Sequence, residues 1–142
     1  MNNVTRIQIY KPASEAFEAF VDPARIGNFW FSSSSARWEE GKTITLRYEE
    51  YDAQGDIDIL TIEKDRRIVF KWSYGDDHVV TIRLEEPEPG VTIVEVTEEG
   101  FDENDANLIG SLLGNKEGWV YALTCLKAYL EFGVTRLRAG LV

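Results

Sequence analysis

The stretch Gly118-Trp-Val-Tyr-Ala-Leu-Thr-Cys-Leu-Lys-Ala-Tyr-Leu-Glu-Phe-Gly133 decides the fold. Trp119, Leu123, Leu126 and Leu130 recur at spacings of 4, 3 and 4, one stripe of a helix with a period near 3.6. A stripe this bulky needs a broad concave partner, and the residues before it supply strands to make one. The pattern predicts a sheet wrapped around a terminal helix, with room for a cavity between them.

Upstream of that helix the chain reads as a series of strands and turns. Strands are expected near residues 36–39, 43–51, 57–64, 68–73, 78–85 and 91–98. Glu40-Gly41, Asp52-Ala-Gln-Gly-Asp56, Asp65-Arg66, Gly75-Asp-Asp77 and Pro87-Glu-Pro-Gly90 separate them as turns. Short strands joined by short turns argue for an antiparallel meander. In 57–64, Ile57 and Ile59 favour one face while Leu60 and Ile62 favour the other, and a bulge near Ile59-Leu60 reconciles them. Residues 5–10 alternate as a first strand. Two short helices follow it, one capped by Ser14 and one opening at Asp22-Pro23 and stopped by Gly27. Phe29-Trp30-Phe31 cannot all face inward on a strand, so at least one should line a surface or a cavity mouth. The four serines after them read as a flexible polar loop. Beyond Gly100, Gly110, Gly114 and Gly118 allow either a short helix at 105–113 and a break, or one helix with a loose first half. From 116 to 132 the helix is secure.

With 142 residues the chain is one domain, 1–142, able to bury a core. No apolar run reaches the roughly 20 residues that span a bilayer. Met1-Asn-Asn-Val-Thr-Arg6 has no apolar core after a basic start, so a secretory signal is not expected. The single cysteine, Cys125, excludes an intramolecular disulfide and reads as a small apolar filler. A reducing cytoplasm is the expected compartment. A formal charge of −10 repels phosphate backbones and anionic headgroups, so nucleic acid is not an expected partner. The basic pair Arg66-Arg67 is expected in a turn facing solvent. No phosphate loop, nucleophile elbow or metal-spaced cluster is present, and neither a metal nor a cofactor is expected.

Strand parity nominates a cavity lining of Trp30, Trp38, Tyr48, Trp72, Val80, Ile82, Trp119, Leu123 and Leu126. Two ionisable residues share the inward parity at strand ends, His78 and Glu98. They are weak catalytic candidates, each able to give or take a proton, and the plainer reading ranks first for both: Glu98 as a solvated residue at the rim or capping a backbone group, His78 as a polar residue beside the Gly-Asp-Asp turn.

Ile9-Tyr-Lys-Pro-Ala-Ser-Glu-Ala-Phe-Glu-Ala-Phe-Val-Asp-Pro23 resembles the strand-helix opening of the SRPBCC superfamily, the START-like relatives of the birch pollen allergen. Ile68-Val-Phe-Lys-Trp72, Val80-Thr-Ile-Arg-Leu84, residues 92–100 and the Trp119, Leu123, Leu126-Lys127, Leu130-Glu131 pattern resemble its branch similar to the activator of Hsp90 ATPase. The resemblance implies an α+β helix-grip fold: a curved antiparallel sheet of six to seven strands around a long C-terminal helix, with two short helices after strand one. It implies a hydrophobic small-molecule partner in a carrier, sensor or sequestering role. A stress-related module partnered by an Hsp90-type chaperone ranks below that reading, as does an enzyme acting on a hydrophobic substrate. The branch takes its name from a co-chaperone with an additional N-terminal domain that these residues do not match. Monomer and homodimer are both open, and residues 104–115 are a candidate cavity lid.

Overall fold

Residues 1–72 and 77–142 are described in the computed structural model of the chain. In order they form β1 (Asn2–Ile9), α1 (Ala13–Val21), β2 (Ser33–Ser34), β3 (Thr43–Tyr48), β4 (Ala53–Glu63), β5 (Arg67–Trp72), β6 (Val79–Glu88), β7 (Val91–Glu99) and α2 (Leu108–Phe132). The sheet runs β1-β7-β6-β5-β4-β3-β2, antiparallel at every step. From β2 to β7 it is the expected meander. The first strand closes it by pairing with the last. This is an α+β helix-grip fold.

Alternation fixes which face is buried. Ile68, Phe70 and Trp72 of β5, Val80, Ile82 and Leu84 of β6, and Val94 and Val96 of β7 all point to the concave side. The pairing of β4 with β5 shifts between Ile59 and Thr61, so Ile59 faces Phe70 and Ile62 faces Ile68. Leu60 is the extra residue and lies exposed. The bulge that the mixed parity of 57–64 required is therefore present, and such an insertion sharpens local bend and twist.

Several local expectations change. Only one regular helix follows β1. After it, Asp22 accepts the Ala24 N–H in a tight turn, and a single 3₁₀ turn, Ile26–Asn28, replaces the second helix. A Cβ at Gly27 would lie 2.7 Å from the Ser32 carbonyl oxygen, so the chain doubles back closely there instead of winding on. Helix α1 begins at Ala13 without a Ser14 cap; Glu86 of β6 accepts the Ala13 N–H at 2.6 Å instead. That bond and one from the Gly90 N–H hold the Glu86 carboxyl below its usual range. No strand forms at 36–39, where the Trp38 N–H is spent on the Val21 carbonyl. The serine segment is pinned rather than loose: Ser33 and Ser34 pair with Arg47 and Leu46, and Ser35 Oγ accepts the Thr45 N–H. Strand β3 stops at Tyr48 in a 3₁₀ turn, Glu49–Tyr51, and β6 runs on through Pro87 after an irregularity in its register. The Gly75-Asp76 part of one expected turn, and Ser73 at the end of one expected strand, lie outside the described residues.

Helix α2 is continuous through Gly110, Gly114 and Gly118, and the candidate lid segment 104–115 is helical from Leu108 onward. The helix is tied along β1. Asn3 Nδ2 donates to the Leu112 carbonyl at 2.9 Å, Lys127 Nζ to the Gln8 carbonyl at 2.6 Å, and the Tyr10 N–H to the Glu131 carboxylate at 3.0 Å. Its two halves differ. Trp119, Ala122, Leu123, Cys125 and Leu126 are buried, whereas 108–118 contribute no buried residue.

Candidate functional site

The open half of α2 defines a cleft. Its floor is the end of the sheet, where β5 finishes at Trp72, β6 enters at His78 and β7 leaves through Glu98 to Phe101. Its back wall is Trp30-Phe31, and its roof is the helix face of Gly110, Ser111, Gly114, Asn115, Gly118 and Trp119. The volume is about 620 Å³ and the cleft opens to solvent. That size lies within the ~300–1,000 Å³ usual for small-molecule sites. The glycines make the space. At Gly114 and Gly118 an added Cβ would meet nothing within 4 Å, so a side chain there would project into the opening.

The aromatic wall is continuous. Trp30 lies 5.1 Å from Trp119 and 6.4 Å from Trp72 between ring centroids, and Phe31 lies 6.1 Å from Trp72. These are the separations of favourable edge-to-face and tilted pairs. Phe31 continues to Tyr48 at 5.2 Å. The backbone under this wall is held from the far end of the chain. Arg138, buried at 8% exposure, donates from Nε to the Trp30 carbonyl at 2.5 Å and from its terminal nitrogens to Glu50 and Ser32. Tyr48 donates its hydroxyl to the Arg138 carbonyl at 2.5 Å, and burial pushes that phenol up to about 12.

One polar cluster interrupts the aromatic lining. Glu98 is 4% exposed, and both its oxygens are engaged: Oε2 is 2.7 Å from His78 Nδ1, and Oε1 accepts the Trp119 indole N–H at 2.9 Å. Phe101 covers the imidazole at 4.5 Å. Gly100 permits this crowding. Its φ of +112° is open to glycine, and a Cβ there would fall 2.5 Å from the Asp77 carbonyl oxygen. A carboxylate that orients Nδ1–H leaves Nε2 as the acceptor of a neutral imidazole, and as a donor once the ring is protonated. Such a pair can anchor a ligand hydroxyl or move a proton. Among the described residues no group of three or more His, Cys, Asp or Glu side chains could hold a metal ion.

The structure thus brings together Trp30, Trp72, Trp119, His78 and Glu98 from the sequence-derived set. It places Trp38, Val80, Ile82, Leu123 and Leu126 elsewhere, in the packed core at 0–1% exposure. Trp38 meets Phe70 there at 5.4 Å and donates its indole N–H to Ser34 Oγ. Tyr48 stands behind Phe31, outside the cleft. The concave face is therefore filled over the second half of α2 and open only over the first. Sequence reasoning offered Phe31 only as one of three aromatics for a cavity mouth and Gly110, Ser111, Gly114 and Asn115 only as part of a candidate lid, and it missed Phe101 and Gly118 as wall residues. The signal for the glycines was present: Gly110, Gly114 and Gly118 are spaced by four and share one helix face. Cys125 is buried, and burial pushes its thiol up, so it is an inert filler.

Comparison with known proteins agrees with this architecture. The sequence profile of the Activator of Hsp90 ATPase homolog 1-like proteins matches residues 11–131. The crystal structure of SSP2350 from Staphylococcus saprophyticus is 56% identical, covers 95% of each chain and superposes with a TM-score of 0.84. CalU16 from Micromonospora echinospora is 25% identical over 96% of this chain and 80% of its own, with a TM-score of 0.75. The Aha1 dimer from Colwellia psychrerythraea, at 19% identity and a TM-score of 0.78 over 94% of this chain and 98% of its own, shares the fold. A comparison with functionally curated proteins gave no significant match.

Proposed function

We propose, for a chain that belongs to the Activator of Hsp90 ATPase homolog 1-like family within the SRPBCC superfamily, that the cleft binds a hydrophobic, ring-bearing small molecule and holds it by one polar group. The observation that carries this reading is the convergence of three indoles and two phenyl rings on one open cleft, with the buried Glu98 and the half-buried His78 it holds as its polar point. An apolar ligand entering the cleft gains from area removed from water, at ~25 cal/mol per Å² before ordering costs. His78 sets orientation, because a ligand hydroxyl that satisfies the imidazole is favoured over an analogue that leaves it dry. The physiological role is that of a carrier, sensor or sequestering protein.

Tryptophan emission tests this directly. Three of the four tryptophans wall the cleft, so a panel of lipids, sterols and fused-ring aromatics titrated into the protein should include compounds that change the emission saturably. The same compounds should raise Tm, since binding to the native state alone stabilises it by RT ln(1 + [L]/Kd). A broad panel in which no compound does either removes the proposal. A compound that binds and is chemically altered would reassign His78 and Glu98 from anchoring to catalysis.

A further inference from the structure

A second concavity lies on the opposite, convex face of the sheet. It is a groove of about 430 Å³ that gathers four arginines, Arg6, Arg66, Arg67 and Arg83, in a chain whose formal charge is −10. The sheet register sets a charged ladder across it. Glu63 stands opposite Arg67, Arg67 opposite Arg83, Arg83 opposite Glu95, and Glu95 opposite Arg6. Both acids of that ladder are committed to an outer arginine, Glu63 to Arg67 and Glu95 to Arg6, each at 2.6 Å. Arg83 is left beside the like charge of Arg67, and neither it nor Arg66 of the adjoining β4–β5 turn has a salt bridge among the described residues. Glu85, two residues along β6, is the remaining carboxylate in the groove and pairs with neither. Like charges directly opposed across antiparallel strands destabilise the pairing. An anion bound beside Arg83 would offset that repulsion.

We propose that this groove is an oxyanion site that takes the phosphate of a small phosphorylated molecule between Arg83 and Arg66. Two guanidiniums without an ion-pair partner among the described residues, set against the single remaining carboxylate of Glu85, leave the groove net positive, and a phosphomonoester brings about −1.5 to −2 at pH 7. The planar donor forks of arginine suit its oxygens in a bidentate manner. A long polyanion is disfavoured by the acidic remainder of the surface, whereas a small ion is not. The site is separate from the aromatic cleft and does not rest on the function proposed for it.

The test compares the full chain with Arg83→Gln in thermal melts with inorganic phosphate, against sodium chloride of equal ionic strength. Arg83 is exposed, so the variant folds. Without phosphate it should melt at or above the wild type, because a like-charge contact has been removed. With phosphate, the wild type should gain Tm saturably and the variant should not. The Arg83 side-chain Nε resonance should shift with the same saturation. Equal gains in phosphate and chloride, or a phosphate gain retained by Arg83→Gln, would overturn the assignment.

Discussion

Arg138 shows how much one residue of the terminal tail can organise. Its guanidinium bonds the Trp30 carbonyl, the Ser32 hydroxyl and the Glu50 carboxylate, and its cation stands 4.8 Å over the Tyr48 ring. Arg138→Gln leaves the Trp30 carbonyl without its buried donor. We expect Tm to fall by roughly 3–8 °C on the scale of a lost buried hydrogen bond, with the Trp30 wall loosened. A pH signature separates this from simple loss of packing. The Glu50 carboxyl, held by Arg138 first of all, sits at about 2 against an ordinary 4.5. A depressed acid contributes stability that is complete above 4.5 and is lost as pH falls toward 2. The gap in Tm between wild type and Arg138→Gln should therefore narrow over that window, which melts at stepped pH would read. A gap constant with pH would mean that the ion pair contributes nothing. None of this was legible in the sequence, since residues 134–142 are apolar and basic without a periodic pattern. Long-range pairing of a single arginine leaves no periodic trace.

At the scale of elements, α2 is two helices in one. Its second half obeys the Trp119-Leu123-Leu126 stripe and fills the concave face. Its first half carries glycines on that same side and stands away from it. Periodicity made the packed half legible, because apolar spacing is a direct record of burial. The open half was legible only as a weakened helix and a candidate lid over 104–115, since glycine reports the absence of a side chain and not the reason for it. Backbone energetics expose the difference. Gly114→Ala should stabilise the protein by roughly 1 kcal/mol in chemical denaturation, because the helix gains propensity and the new methyl meets nothing within 4 Å. Gly27→Ala is the control: its methyl would press on the Ser32 backbone, and it should destabilise. If Gly114→Ala also destabilised, the glycine face would be a close-packed contact and not a cleft wall. The bulge in β4 was legible for the opposite reason, since two incompatible parities in one strand leave few other solutions. The missing second helix and the missing strand at 36–39 were not legible, because a close return of the chain at Gly27 and Trp38 overrides local preference.

For the whole molecule, the fold divides the concave face into a packed end and an open one, and the open end collects the chemistry. Sequence parity placed Trp72, His78 and Glu98 on the inward side. It could not bring His78 to Glu98, because that contact depends on the register of β6 with β7 and on the close approach at Gly100. Nor could it separate cleft from core among Val80, Ile82, Leu123 and Leu126, because both environments select the same apolar residues. The central claim is that a ligand sits under the glycine face, against the indoles. Calorimetric titration of the tightest compound from the panel into wild type and Gly118→Leu tests it most directly. Leucine at 118 replaces a poor helix former with a good one, and its Cβ enters open space lining the cleft, so the variant should fold with Tm unchanged or raised. The account predicts that its affinity falls by at least about tenfold, the equivalent of ~1.4 kcal/mol. Equal affinity in the two proteins, both folded, would contradict it and place the ligand somewhere else on the molecule.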